Sequence, residues 1–208
     1  MDTQAAQRAV HAVRERMDAE KDQLLALDGR FGDGDLGLTM TKAFAAADEE
    51  VRPEGKDPGR YLAEVGMAIA RAAPSTLATL MGTGFMRGGK AVGGKDELAG
   101  TDLAAFFRAF ADGLRHRGKC QPGEKTILDV IEPVADALAG REDPLATLAA
   151  SAIEAARAGE EAARGMVARQ GRAAFYQEQT RDQVDAGAYA GLCFVEAFCG
   201  SLEGNGAP

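Results

Sequence analysis

The chain has 208 residues, of which 46% are hydrophobic, with a formal net charge of −8 and a pI near 4.9. This length is enough for one large domain with a substantial buried core. The acidic balance argues against a nucleic-acid-binding protein, because such proteins present a basic face that neutralises phosphates.

The N-terminal segment and the cysteines indicate the cellular compartment in which the protein is expected. Residues 1–21 carry charges throughout, so they lack the apolar stretch of a signal peptide, and no segment has the roughly 18 apolar residues that a membrane span needs. Cys120, Cys193 and Cys199 are odd in number and show no CxxC spacing, which argues against a disulfide framework or a zinc site. We therefore expect a cytoplasmic protein with buried thiols that binds neither membranes nor nucleic acids.

Apolar residues recur at helical spacing along nearly the whole chain. In TDLAAFFRAFADGLRHRG, for example, Leu103, Phe106 and Phe110 fall on one face, and Thr101 stands at the cap position. With this helix the pattern predicts eight, with boundaries good to about 2 to 4 residues. The other seven are expected at about 3–26, 38–51, 59–72, 75–91, 126–140, 144–170 and 186–202. Short linkers between them favour antiparallel neighbours, so the sequence predicts an all-α, up-and-down domain.

Between the first two predicted helices lies LDGRFGDGDLG, in which Asp28, Asp33 and Asp35 crowd together among glycines. Carboxylate oxygens are hard ligands, and Mg²⁺ typically takes a few of them and completes its shell with waters or substrate phosphates. The start of the following helix would favour the same phosphates. From spacing alone, turn formation and helix capping explain these aspartates about equally well.

Three better-known motifs do not fit. Residues 32–37 spell GxGxxG, but a helix precedes them and two carboxylates lie inside. Residues 84–90 spell GxxxxGK, but Ala91 follows where a P-loop has Ser or Thr. An EF-hand starting at Asp33 would place Phe44 where a bidentate glutamate is needed. None of these sites is therefore predicted.

Three separated segments resemble motifs of the nucleotide-binding L subunit, or Dak2-type (DhaL-type) domain, of dihydroxyacetone kinases. LDGRFGDGDLGLTM is similar to LDxxxGDGDHGxxM, PGEKTILDVIEPV to PGDKTMxDVxxP, and RQGRAAFYQEQTRDQVDAGA to RxGRASYLGxRSxGxxDPGA. They occur in the family's order, and the similarity covers nearly the whole length. The resemblance implies one domain over residues 1–208, an antiparallel up-and-down barrel or bundle of eight helices.

The resemblance also implies a site. Asp28, Asp33 and Asp35 would hold two Mg²⁺ ions that bridge the phosphates of ATP or ADP, and Arg172 would face the transferred phosphoryl group, for which a planar guanidinium is suited. The implied nucleotide contacts are Leu36, Gly37, Leu38 and Thr39 at the phosphates, Thr76 and Leu77 (or Ser75 in a shifted register), Gly118 and Ile127 beside the base and ribose, and Asp185, Ala186 and Gly187.

The chain departs from the family pattern at three places. Leu36 replaces a histidine, Ala186 replaces a proline, and residues 74–84 lack the usual Ser-Gly pair. These departures indicate a divergent branch whose acceptor need not be dihydroxyacetone. For Lys125 and Thr126 the sequence favours nucleotide contact and a helix start equally.

The first hypothesis for function is a Mg²⁺-dependent, ATP- or ADP-binding kinase subunit that transfers phosphoryl to dihydroxyacetone or a related small ketose. No residue corresponds to the histidine with which the family's K-type subunit holds the acceptor, so such a partner is implied. The alternatives are a non-catalytic nucleotide-binding regulatory or adaptor module, and a subunit whose ADP stays bound as a cofactor and is recharged by a phosphotransferase-system protein. The sequence leaves these alternatives open.

Overall fold

A computed structural model describes residues 1–203, and within that range it contains nine α-helices, one 3₁₀ helix and no β-strand. The predicted all-α class is therefore confirmed. The elements in chain order are α1 (Thr3–Ala19), α2 (Lys21–Phe31), α3 (Leu36–Glu50), α4 (Pro58–Ala72), α5 (Thr76–Ala91), α6 (Gly100–Gly118), α7 (Leu128–Leu138), α8 (Leu145–Arg164), the 3₁₀ helix (Ala173–Thr180) and α9 (Ala186–Glu203).

Eight of the α-helices form a closed ring. Each of α1, α3, α4, α5, α6, α7, α8 and α9 packs against the next, and α9 packs back against α1. At this closing contact Arg16 Nη2 lies 3.2 Å from Glu196 Oε2, and the Tyr189 hydroxyl donates to Glu20 Oε2 at 2.8 Å. These pairings run in opposite chain directions, so α1 and α9 are antiparallel. The additional helix, α2, lies outside the ring against α3 and α9.

Three boundaries differ from the prediction. The helix expected at 3–26 divides at Glu20, and its second part continues as α2 to Phe31. The helix expected at 144–170 ends at Arg164, and the 3₁₀ helix was not predicted. Apolar periodicity cannot predict a break at a single non-helical residue such as Glu20, because the apolar pattern continues on both sides of it. It also does not register a distant side chain that binds the last carbonyls of a helix, as Lys125 does at the end of α8.

Phenylalanine rings fill the middle of the ring of helices. The Phe85 ring lies with its centroid 5.2 to 6.3 Å from five others, at tilted and edge-on angles, and those partners are Phe44, Phe106, Phe110, Phe194 and Phe198. All are buried, and each contributes about 1.5–3 kcal/mol relative to an exposed side chain. The three cysteines are buried thiols, as expected. Of the helices in residues 1–203, none is long and apolar enough to cross a membrane.

Helices α4 and α5 approach each other closely because glycines face each other between them. A Cβ atom on Gly66 would lie 2.5 Å from the carbonyl oxygen of Gly82 and 2.7 Å from the amide nitrogen of Met86. A Cβ atom on Gly82 would likewise lie 2.6 Å from the carbonyl oxygen of Gly66. The two backbones are therefore in direct contact, which leaves no room for a side chain at either position.

We expect Gly66→Ala to lower the free energy of unfolding by about 1–3 kcal/mol, since overpacking at a rigid backbone contact has this cost. Alanine otherwise gains up to about 1 kcal/mol over glycine in a helix, so the sign of the change reports the contact. Gly200→Ala in α9 is the matched control, because nothing lies within 4 Å of a Cβ atom there. Urea unfolding of both variants measures the difference, and equal stabilisation of both would contradict the close contact.

Candidate functional site

A cleft of about 500 Å³ opens where α3, α5, α7 and α9 begin. In a closed up-and-down ring, alternate helices start at the same end, so the topology itself gathers these four N-termini. Each helix N-terminus carries a partial positive charge and backbone N–H groups without a helical partner. The cleft wall is therefore suited to anions.

Three carboxylates meet at one side of this cleft. Asp28 comes from the last turn of α2, not from a loop as predicted, while Asp33 and Asp35 follow in the connection to α3. One oxygen from each lies within 4.8 Å of the others. Asp28 Oδ2 accepts the N–H groups of Asp35 at 3.0 Å and Leu36 at 3.3 Å. Burial raises the pKa of the Asp28 carboxyl, although these N–H groups oppose the shift.

The turn that brings these carboxylates together depends on glycine. Gly34 has φ +73°, a conformation that residues with a side chain rarely adopt. A Cβ atom on Gly32 would lie 2.0 Å from Asp28 Oδ1, so a larger residue there would displace the carboxylate. The glycines are therefore part of what places the carboxylates.

Arg172 reaches the carboxylate cluster from the far end of the chain. It lies in the connection between α8 and α9, and its Nη2 atom is 2.9 Å from Asp33 Oδ2. The side chain remains 67% exposed, so it stands at the mouth of the cleft. The structure thus brings the predicted arginine to the predicted carboxylates.

Most of the other predicted residues also lie on the cleft wall. These are Leu36, Ser75, Thr76, Leu77, Ile127, Asp185, Ala186 and Gly187. Ser75 caps α5, because its Oγ accepts the Ala78 N–H at 3.1 Å. The two registers considered for this segment both place residues in the cleft.

Four predicted residues do not line the cleft. Gly37 packs against α2, where a Cβ atom would lie 2.2 Å from the carbonyl oxygen of Lys21, and Leu38 is 54% exposed. Thr39 continues the first turn of α3, with its N–H donating to the Asp35 carbonyl. A Cβ atom on Gly118 would lie 3.2 Å from Leu80, which itself lines the cleft, so Gly118 stands behind that wall.

Lys125 and Thr126 both line the cleft, yet each has a structural partner. Lys125 Nζ is buried and donates to three carbonyls at the end of α8, those of Ala163 at 3.0 Å, Arg164 at 2.7 Å and Met166 at 3.0 Å. Burial lowers the pKa of this lysine. The Thr126 Oγ1 accepts an N–H from the first residue of α7 at 3.1 Å. Thr126 therefore lies just before the helix, whose N-cap is Ile127 and not Thr126 as predicted.

Sequence reasoning missed several residues of the wall. Phe31, Pro74, Leu80, Gln170 and Thr180 line the cleft without having been predicted. The Phe31 ring meets the Tyr176 ring edge-on at 5.1 Å, which joins α2 to the 3₁₀ helix. The chain carries no local signal for such a contact, because it depends on how distant segments meet.

The structure is therefore an all-α domain, and the carboxylates and the arginine at its cleft form a candidate site for a metal ion and an anion. Residues 30–200 match the family described as the DAK2 domain, and the chain belongs to this family. It is 34% identical to the ADP-binding subunit DhaL of the PEP-dependent dihydroxyacetone kinase of Escherichia coli, covering 81% of this chain and 82% of that protein. It is 29% identical to the ADP-binding subunit DhaL of PEP-dependent dihydroxyacetone kinase 2 of Listeria innocua, and the match covers 90% of this chain and 89% of that protein.

The fold is also that of a solved kinase. The crystal structure of the dihydroxyacetone kinase from C. freundii in complex with AMP-PNP and Mg²⁺ superposes with a TM-score of 0.71 at 19% identity, covering 97% of this chain. The chain spans about a third (34%) of the length of that kinase chain. The comparison therefore concerns one part of a larger protein and shows a shared fold.

The cleft also holds a carboxyl group with a displaced pKa. Asp185 caps α9 by accepting the Ala188 N–H at 2.8 Å. Burial raises the pKa of its carboxyl to about 6, although that hydrogen bond and Lys125 oppose the shift. In an unfolded chain an aspartate has a pKa of about 3.9. The folded state therefore takes up a proton between pH 6 and 4, and the unfolded state does not.

We predict that Asp185→Asn is more stable than the parent chain at pH 7.5, because asparagine keeps a capping oxygen without a charge in this desolvated position. The advantage should shrink as the pH falls through 6, because protonation of Asp185 then stabilises the parent, and it should vanish near pH 4. Urea unfolding at several pH values measures it. Asp57→Asn, which alters the cap of α4 outside the cleft, corrects for general effects of pH. An advantage that grows on acidification would contradict the assignment.

Proposed function

We propose that this chain is the nucleotide-binding subunit of a kinase that transfers phosphoryl to dihydroxyacetone or a related small ketose. The observation that carries the proposal is the meeting of Asp28, Asp33 and Asp35 with Arg172 at a cleft formed by helix N-termini. The E. coli and Listeria relatives, which are ADP-binding subunits of dihydroxyacetone kinases, support it.

The charges of the cleft favour a divalent cation together with a phosphate. Helix N-termini attract anions, whereas three carboxylates within 4.8 Å repel them and one another. Arg172 offsets only part of that negative charge. Magnesium ions held by the carboxylates would resolve the conflict, since Mg²⁺ commonly binds a few carboxylates and substrate phosphates together. Asp28, Asp33 and Asp35 would hold two such ions, which would supply neutralisation of phosphate charge.

The rest of the wall suits a nucleotide. The starts of α3 and α5, at Leu36 and at Ser75 to Leu77, are placed to receive phosphate oxygens. Leu80 and Ile127 give an apolar surface for the base, with Gly118 behind it. Asp185 to Gly187, at the start of α9, complete the opposite wall.

Arg172 is the residue we assign to the phosphoryl group in transfer. Its guanidinium stands at the mouth of the cleft and offers paired donors in one plane, which match the equatorial oxygens of a phosphoryl group. A binding module without turnover has no need of a charge at this position. The contact between Arg172 and the cluster therefore favours the kinase over the regulatory or adaptor alternative.

The acceptor is proposed to come from a partner. Arg172 is 67% exposed at the mouth of the cleft, so an acceptor that meets the transferred group there would approach from the solvent side. In the E. coli relative the ADP-binding chain is one subunit of the kinase, and a K-type subunit that holds the ketose is the partner we propose here.

A second form of the same function has specific support. The bacterial relatives are subunits of PEP-dependent kinases and bind ADP, which favours ADP as a bound cofactor recharged by a phosphotransferase-system protein. Retention of ADP through gel filtration would support this form, and rapid exchange with free ATP would support ATP as the donor.

We expect Asp33→Asn and Asp35→Asn each to weaken Mg-ADP binding on the order of 10- to 100-fold or more, because even residues behind metal ligands have effects of this size. Calorimetry with ADP, with and without Mg²⁺, measures the loss. Asp112→Asn removes the same charge from the exposed face of α6 and is the control. Unchanged Mg-ADP affinity in both cleft variants would refute the metal site.

We expect Arg172→Lys to retain most Mg-nucleotide affinity while the turnover of the chain mixed with its acceptor subunit falls on the order of 10³-fold. Lysine keeps the charge but lacks the planar pair of donors. Arg157→Lys, on α8 and paired with Glu196, is the control. Steady-state kinetics and calorimetry on the same preparations separate the two effects. Intact turnover in Arg172→Lys would refute the assignment of Arg172 to the transferred phosphoryl group.

A further inference from the structure

The connection between α8 and α9 carries Arg172 and is mostly exposed. From Gly171 to Gln179 no residue is buried, and Phe175 is 87% exposed. Thr180, which follows this segment, is buried, with 1% exposure and a place on the cleft wall. Ala168, which precedes the segment, is buried as well, so the exposed part of the connection lies between two buried residues.

The Thr180 hydroxyl closes this loop from both sides. Its Oγ1 accepts the N–H of Ala168 at 2.9 Å and donates to the carbonyl of Gln177 at 2.6 Å. Arg172 lies between the two residues that it joins. Because the hydroxyl is buried, losing it would leave a backbone N–H and a carbonyl without their partner, which is unfavourable for both groups.

The backbone at Gln177 indicates that this bond maintains an unfavourable conformation. Its φ of 49° and ψ of −126° lie in a region that residues with a side chain rarely adopt. Such a conformation is unfavourable and persists only where the surrounding structure enforces it. The Thr180 hydroxyl, which binds the Gln177 carbonyl, is a direct source of that enforcement. Without it, the unfavourable conformation at Gln177 loses a hydrogen bond that maintains it.

Arg172 cannot fix its own position through its side chain. Its ion pair with Asp33 joins side chains that are 67% and 44% exposed, and pairs of this kind contribute little because solvent screens them. A displacement of about 1 Å at a reacting group can cost on the order of 10²-fold in rate. The backbone of the loop must therefore supply the accuracy.

We propose that Thr180 is a positioning residue for phosphoryl transfer, whose buried hydroxyl holds the Arg172 loop over the carboxylate cluster. This inference rests on the proposed function of the cleft. Other contacts hold the start of the loop: the N–H of Arg169 donates to the Glu124 carbonyl at 3.0 Å, and Gln170 Nε2 donates to Glu124 Oε2 at 2.7 Å. They remain when Thr180 is changed, so the loop should loosen while the fold persists.

Thr180→Val removes the hydroxyl at nearly constant volume, and Thr180→Ser retains it. For the chain mixed with its acceptor subunit, we expect valine to lower kcat on the order of 10²-fold and serine to restore most of it, with little change in Mg-ADP affinity. Thr83→Val removes a hydroxyl that donates to the Thr79 carbonyl inside α5, and it controls for loss of a partly buried threonine hydrogen bond in general. A loss of Mg-ADP affinity parallel to the loss of kcat would make Thr180 a ligand contact and overturn the proposal.

A double-mutant cycle tests whether Thr180 acts through Arg172. In the Arg172→Ala background, Thr180→Val should cost less than about twofold further in kcat, because its effect depends on a guanidinium that is no longer there. Fully additive losses would overturn the proposal.

Hydrogen exchange of the isolated chain separates this inference from the proposed function. Thr180→Val should speed exchange across residues 168–180, including the Ala168 amide, while the ring helices stay protected. Protection unchanged across the loop would overturn the inference whether or not the chain is a kinase subunit. Faster exchange together with no turnover of the parent chain, with any acceptor subunit, would instead place the failure in the proposed function.

Discussion

Closure of the helical ring is the constraint on which the site depends. The carboxylates lie near the start of the chain and Arg172 lies near its end, and they meet because α9 packs against α1. The antiparallel contact, marked by Tyr189 on Glu20, brings the start of α9 beside the end of α1, from which α2 leads to Asp28. Because phenylalanine side chains fill the centre of the ring, the cleft lies at the helix ends and their connections.

The electrostatics of the cleft follow from this topology. Alternate helices of an up-and-down ring begin at one end, so four partial positive charges point into the same space. The negative charges of the carboxylate cluster oppose these partial positive charges, and Arg172 lies at the edge of the cluster. These opposed charges are the basis of our proposal that the cleft binds phosphate together with a divalent cation. The departures from the family motifs leave the cluster in place: Leu36 is buried in the wall, and Ser75 still caps a helix at the cleft.

Some features followed from the sequence because they depend on neighbours in the chain. The apolar period determines which face of each helix is buried, so the all-α class and the eight helices of the ring were predictable. The aspartates and glycines of residues 28–37 marked the carboxylate cluster, since crowding of like charges in a tight turn is visible without a fold. Arg172 was different, because nothing in its local sequence distinguishes it from a surface arginine. Only the resemblance of the motif around it indicated a role, and the structure then placed it 2.9 Å from Asp33.

Other features were decided by the tertiary structure. Asp28 lies in a helix, and α8 ends at Arg164 because the ammonium group of Lys125 takes its last carbonyls. The sequence could not decide between nucleotide contact and a helix start for Lys125, since the carbonyls that it binds lie about forty residues further along the chain. Thr180 looked like any polar loop residue. Its burial arises only when distant segments pack together. The role that we propose for its hydroxyl depends on the hydrogen-bond partners that this packing supplies, and the sequence does not show them.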